Sequence, residues 1–191
     1  MKKFGFILLG LLIGLPTLQA QENFRIGAKG GVNLANIVGE GHSGDLRTSF
    51  HLGILAEIPF SEKFYFGPEI LYSSQGSKNR YKLDYIQIPL MAGYYVTEGL
   101  MVDVGPQIGF LTSSKVDALV VGDNINLKDY LSNFEYGVNF GLGVKLGNSF
   151  FFQGRYNLGL ANILDDLKIG FNDDDYKETN RVIQFSLGYM F

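Results

Sequence analysis

Two histidines, His42 and His51, are the only imidazoles in a chain of 191 residues. His42, Ser43 and Asp45 share one short stretch, and a base, a hydroxyl and an orienting carboxylate are what acyl transfer uses. Such a triad is recognised by geometry and not by closeness in sequence. Three polar residues in a Gly-rich stretch are more often solvated loop, so no enzyme is expected, with acyl chemistry through His42 as the outlying alternative. A second cluster comprises Asp165, Asp166, Asp173, Asp174 and Asp175, interspersed with Leu167, Ile169 and Phe171. Carboxylates bind calcium, but the ordered spacing of an EF-hand loop is missing. With no cysteine in the chain, thiolate metal sites and disulfides are excluded. Gly141-Leu142-Gly143 lies in an alternating segment and reads as packing, not as a phosphate cradle. No cofactor and no metal site is expected.

The elements that would position these residues are strands. Eight segments alternate apolar and small or polar residues with a period of two, the mark of a strand with two unlike faces. They are Phe24–Asn36, Thr48–Phe60, Phe64–Gln75, Leu83–Val96, Leu100–Thr112, Phe134–Leu146, Phe150–Ala161 and Arg181–Phe191. The last sets Ile183, Phe185, Leu187, Tyr189 and Phe191 against Gln184, Ser186 and Gly188. Each segment matches or slightly exceeds the 9–11 residues that a tilted strand needs to cross a bilayer.

The connections alternate as well. Ser61-Glu62-Lys63, Thr97-Glu98-Gly99 and Gly147-Asn148-Ser149 are minimal turns. Ile37 to Arg47, Gly76 to Lys82, Ser113 to Asn133 and Asn162 to Glu178 are longer. Short turns on one side and long loops on the other are the habit of transmembrane barrels, and an even number of antiparallel strands closes without edges. The expected fold is therefore all-β, an eight-stranded antiparallel transmembrane up-and-down β-barrel. Phe66-Gly67-Pro68-Glu69-Ile70 recurs as Val104-Gly105-Pro106-Gln107-Ile108; Pro68 and Pro106 cannot donate to a ladder and should sit at bulges or local defects. In the third loop, Val116 to Val121 and Ile125 to Leu127 around Gly122-Asp123-Asn124 read as a hairpin extension, with an apolar partner patch as the alternative.

Lys2 and Lys3, the apolar run Phe4 to Leu15 and Leu18-Gln19-Ala20 form a secretory signal peptide over residues 1–20, too short to span a membrane as a helix. Residues 21–191 then form one barrel domain. Its net charge, −5 after loss of the two lysines from −3, and its lack of a basic cluster argue against nucleic acid as a partner.

The polar face carries Arg25, Lys29, Lys145 and Arg155 against Glu57, Glu69, Asp103 and Glu135. Buried charge is costly unless paired, so this balanced set suits a closed interior with an ion-pair and amide network. Eight strands enclose only enough space for side chains. His51 falls on the same face and is expected in the polar core or rim. The apolar face concentrates aromatics at two levels. Phe24, Phe60, Phe64, Phe66, Tyr94, Phe150, Phe152, Tyr189 and Phe191 lie near the short turns. Phe50, Tyr72, Tyr85, Phe110, Phe134 and Tyr136 lie near the long loops, as two interfacial girdles would.

With GAKGGVNLANI, EIPFSEKFYFGPEILYSSQGSK, LDYIQIPLMAGYYVTEGL, VDVGPQIGFL, YGVNFGLGVKL and the closing FSLGYMF in view, the chain resembles the PorT-like outer-membrane β-barrel family of Bacteroidetes. It is also similar in architecture to OmpA- and OmpX-type small barrels, without a periplasmic peptidoglycan-binding domain. The resemblance implies an outer-membrane location, contact with outer-membrane lipid and lipopolysaccharide, and barrel-assembly machinery reading Tyr189 and Phe191 as the signal. The acidic fourth loop would then be solvated at the lipopolysaccharide surface. The expected role is structural, or docking to a surface or secretion-machinery partner through the long loops; a small passive channel is the alternative.

Overall fold

A computed structural model of the chain describes residues 24–39, 42–78, 81–116, 131–163 and 178–191. The alternating segments form long strands: β1 (Arg25–Gly39), β3 (Arg47–Pro59), β4 (Phe64–Gly76), β5 (Tyr81–Tyr95), β6 (Leu100–Val116), β7 (Phe134–Leu146), β8 (Phe150–Gly159) and β9 (Thr179–Met190). A two-residue strand, β2 (His42–Ser43), folds back on the end of β1, pairing Val38 with Ser43 and Gly39 with His42. Each long strand is antiparallel to the next, and β1 also pairs with β9 from Gly27↔Met190 to Val38↔Thr179. That last seam closes an eight-stranded up-and-down barrel, so no long strand keeps an open edge.

Turn chemistry fixes the short connections. The Ser61 hydroxyl accepts the amides of Lys63 and Phe64 at 3.3 and 3.0 Å, and Thr97 Oγ1 accepts those of Gly99 and Leu100 at 3.3 and 3.1 Å. Side-chain oxygens of Ser and Thr mimic a backbone turn in this way. Gly147 takes φ +72° in the third turn, a conformation that costs glycine nothing.

At the opposite end the strands outrun their sequence limits. β6 continues to Val116, paired with β5 from Tyr81↔Val116 onward, past a register shift at Asp84/Tyr85. The first two long loops are fastened together: the Lys78 amide donates to the Asp45 carbonyl at 3.1 Å and the Ser77 hydroxyl to the same oxygen at 2.9 Å. The prolines do interrupt the ladders, though without a bulge. Pairing of β3 with β4 skips from Leu55↔Glu69 to Ile58↔Phe66 across Pro68, and β5 with β6 skips from Pro89↔Gln107 to Ala92↔Val104 across Pro106, register unchanged.

The outer wall is apolar. Leu52, Ile54, Ile70, Val104, Leu142 and Leu187 are all exposed in mid-strand, and a soluble domain does not expose a continuous patch of this kind. Aromatic pairs ring both ends. Phe64–Tyr94 and Phe150–Tyr189 have centroids 4.8 and 4.9 Å apart at the short-turn end, and Phe50–Tyr72 and Phe110–Phe134 are 5.7 and 5.6 Å apart at the long-loop end. One girdle residue is misplaced by the sequence reading. Tyr85 is 2% exposed and points inward, because it shares the parity of Leu83 and Gln87 while Ile86 and Ile88 take the outer face.

Candidate functional site

Alternation sends every second side chain of eight strands into one narrow lumen, and the lumen is layered. At its centre, Lys29 from β1, Glu69 from β4, Asp103 from β6 and Arg155 from β8 converge. Arg155 grips Glu69 through both terminal nitrogens, at 2.8 and 3.0 Å, and lies 3.6 Å from Asp103. Lys29 Nζ reaches Glu69 at 2.8 Å. Gln153 accepts from Lys29 at 3.1 Å and donates to Asp103 at 2.5 Å, joining the cation and the second carboxylate. Two positive and two negative charges neutralise one another in a fork geometry that suits guanidinium and carboxylate. Space for them comes from Gly141, which pairs with both Asp103 and Arg155; a methyl group there would meet the Asp103 carboxylate.

From this cluster two polar ladders climb toward the long loops. On one side, His51 lies between Asn33 Oδ1 and Ser186 Oγ, at 2.7 Å from each. Asn33 Nδ2 faces the carbonyls of Phe50 and Ser74, at 3.1 and 2.8 Å, which only accept, so Oδ1 is fixed as its acceptor. His51 Nδ1 therefore carries the proton and Nε2 accepts from Ser186. Above them Arg47 donates to the Gln75 carbonyl and to Ser74 Oγ, whose own proton goes to Asp84 at 2.6 Å. On the other side Asn157 donates to Asn139 at 2.9 Å, Asn139 to Gln107 at 3.1 Å, and Gln107 to Glu135 at 3.3 Å.

The eight charges assigned to the interior do not form one network. Four make the central cluster. Arg25 and Glu57 stand 3.9 Å apart at the short-turn rim, where Arg25 also donates to the Asn148 carbonyl at 2.7 Å. Lys145 lies 3.9 Å from the centroid of the Tyr95 ring, whose hydroxyl donates to Glu57 at 2.6 Å. Glu135, in the long-loop half, is held by amides: Gln87 at 2.5 Å, and Gln107 and Asn180 at 3.3 Å.

The ends of the lumen are apolar, which the sequence reading missed. Tyr65, Met101, Phe151 and Met190 pack together at the short-turn end, flanked by Leu55 and Tyr95. Ile37, Leu83, Tyr85, Leu111, Leu131 and Ile163 do so at the long-loop end. A signal was present: in Phe64-Tyr65-Phe66, Leu100-Met101-Val102 and Phe150-Phe151-Phe152 both parities are apolar, so near the turn the inward face is apolar too. A cavity of about 30 Å³ runs beside this plug from the short-turn rim, at Arg25, Glu57 and Lys145, to Glu69, Asp103 and Gln153 of the central cluster, room for one or two waters. The middle of the lumen is occupied by buried side chains: Lys29, Asn33, His51, Glu69, Gln87, Asn139 and Arg155 are each 5% exposed or less.

Of the candidate triad, only Asp45 has a described side chain. His42 and Ser43 contribute backbone to β2 and their side chains lie outside the description, while Asp45 engages Ser77 and Lys78 through its carbonyl. Asp165, Asp166, Asp173, Asp174 and Asp175, and the third-loop segment beyond Val116, lie outside the described residues, as do residues 1–20. Tyr189 on β9 and Phe191 just past its end lie on the outer face, their rings 5.4 Å apart, with the Phe191 amide donating to the Ile26 carbonyl at 2.8 Å.

An apolar outer wall with two aromatic rings around a filled polar lumen defines a membrane-spanning β-barrel. Residues 19–165 match the family model of the outer membrane protein beta-barrel domain, and the chain belongs to that family. Its members' location, the bacterial outer membrane, is thereby this chain's. No curated protein matches the sequence. Among solved structures, the Neisserial surface protein A (NspA) superposes with a TM-score of 0.50 at 14% identity, over 87% of this chain and 95% of that one. Ail, the attachment invasion locus protein of Yersinia pestis, gives 0.47 at 13% identity over 87% and 98%. OprG of Pseudomonas aeruginosa gives 0.43 at 14% over 88% and 95%. At such identities the likeness to NspA concerns the fold alone.

Proposed function

We propose that the protein is a closed outer-membrane scaffold that docks a surface or secretion-machinery partner through its long loops, in the manner of a PorT-like barrel. The observation that carries this reading is the lumen, filled at its centre by ion pairs and plugged by apolar side chains at both ends, which leaves the loops as the place for function. By the usual topology of such barrels the short turns face the periplasm and the long loops the exterior. Residues 1–20 act as the export signal, Tyr189 and Phe191 are read by the assembly machinery, and lipopolysaccharide surrounds the outer girdle. The first two loops, fastened together at Asp45, Ser77 and Lys78, offer a joined platform at that end. The chain works without catalysis, cofactor or nucleic acid.

The test is photo-crosslinking in living cells, with probes at Leu46, which is exposed in the first loop, and at Leu119 and Ile169. One discrete crosslinked band is expected. Its absence, from protein shown to be folded by its heat-modifiable gel mobility, would remove the docking reading.

A further inference from the structure

The outward residues of β5 are Ile86, Ile88, Leu90, Ala92 and Tyr94, and Ala92 is the small one among them. It is paired with Val104 of β6, next to the pair of Tyr94 with Val102. The step it leaves is a hollow of about 280 Å³ in the outer wall, bordered by Phe64, Ala92, Tyr94, Val102 and Val104. Gly93 and Asp103 also border it; they have the inward parity and close its floor with main chain. The Phe64 and Tyr94 rings, with centroids 4.8 Å apart, wall it at the short-turn side.

A single water needs about 10–15 Å³, so the hollow is far larger than a packing defect. It faces hydrocarbon. Left empty, its lining would lose contact atoms on one side, and water would find few polar partners there. The rim beside it is charged. Lys63 immediately precedes Phe64, and its carbonyl accepts the Tyr95 amide at 2.8 Å, which ties this turn to the end of β5. Glu62 and Lys63 are both exposed, and neither enters an ion pair among the described residues.

We infer that the hollow holds one acyl chain of a zwitterionic phospholipid of the periplasmic leaflet, its phosphate met by Lys63 and its primary ammonium by Glu62. The short turns of such barrels lie at the periplasmic side, so a chain in the hollow brings its headgroup to this turn. Neighbouring charges of opposite sign suit a headgroup that carries both. A purely anionic headgroup gains the lysine but faces Glu62 and, in the next turn, Glu98, which is also exposed. A choline headgroup has no N–H to donate to a carboxylate. The site lies at the far end from the long loops, and its occupancy is independent of any docking partner.

The experiment is native mass spectrometry of the folded full chain, released from detergent after titration with phosphatidylethanolamine, phosphatidylglycerol or phosphatidylcholine of identical acyl chains. One phosphatidylethanolamine per barrel is expected, with half-occupancy at no more than a tenth of the concentration that the other two lipids need. Ala92→Phe fills the hollow with a ring and is expected to abolish the one-to-one species, and Lys63→Gln to remove the preference for phosphatidylethanolamine. Both variants are checked for folding by heat-modifiable gel mobility. Because a variant can fail to fold, the wild type is also crystallised from a bilayer phase with bromine-labelled chains, and an anomalous peak is expected over Ala92. Barrels that carry no lipid, equal retention of the three lipids, or retention unchanged in Ala92→Phe would each overturn the assignment. Bromine peaks only elsewhere on the wall would overturn it equally.

Discussion

Glu69 and Glu135 are both carboxylates turned into the same lumen by the same alternation, yet they are held in opposite ways. Glu69 has a lysine from β1, two strands away, and a bidentate arginine from β8 on the opposite wall. Glu135 has three amides and a phenol nearby, under the apolar cap of the long-loop end. The first is a self-neutralising lock at the middle of the lumen, its four charged residues all buried. The second stands one layer below the loops, its carboxylate answered only by neutral amides. Charge is answered by charge at the centre of the barrel, and by neutral amides near its mouth.

The contrast is broken most severely at the centre. Arg155→Ala leaves Glu69 and Asp103 facing each other with only Lys29 between, and is expected to cost about 3–5 kcal/mol of unfolding free energy, read from urea titrations of gel mobility in vesicles. Replacing Lys29, Glu69, Asp103 and Arg155 together by apolar residues of similar volume is expected to be neutral or stabilising. If the fourfold variant instead loses as much as the single one, the cluster supplies more than charge neutralisation.

The outer wall gives the next effect. Ile54→Arg, at mid-strand on the lipid side, should cost about 2–4 kcal/mol, and Phe60→Arg, beside a turn, about 1 kcal/mol or less. The same titration checks both, and equal costs would mean that the membrane band is misplaced. At the short-turn plug, Gly188→Ala drives a methyl group into the Phe151 ring and is expected to cost about 1–3 kcal/mol. The rim pair is the smallest. Arg25→Ala should cost under about 1 kcal/mol, and less still in high salt, since the pair is partly solvated.

Much of this architecture is legible in residues. The alternation of Ile183, Phe185, Leu187 and Tyr189 with Gln184, Ser186 and Gly188 announces a two-faced strand, and the strict succession of short and long connections announces the barrel. Parity alone turns Lys29, His51, Glu69, Asp103 and Arg155 inward. Parity also places Tyr85 inside, against its aromatic type, which suggested a girdle. What the sequence withholds is which inward residues meet. Lys29 and Glu69 lie 40 positions apart and sit at one level only because of how far each strand is staggered against its neighbours, a quantity no local pattern encodes. Hence eight charges that cancel in a sum separate in space into a cluster of four, a rim group and Glu135. The plugs escaped notice for a different reason: alternation is read as contrast, and where Phe150, Phe151 and Phe152 are all apolar the contrast vanishes although the geometry does not.

The central claim is that this barrel is closed, its lumen filled from plug to plug. The direct test is conductance of the folded wild-type protein in planar lipid bilayers. The account predicts a silent membrane at voltages that open ordinary outer-membrane pores. Reproducible unitary currents from the wild type would contradict it.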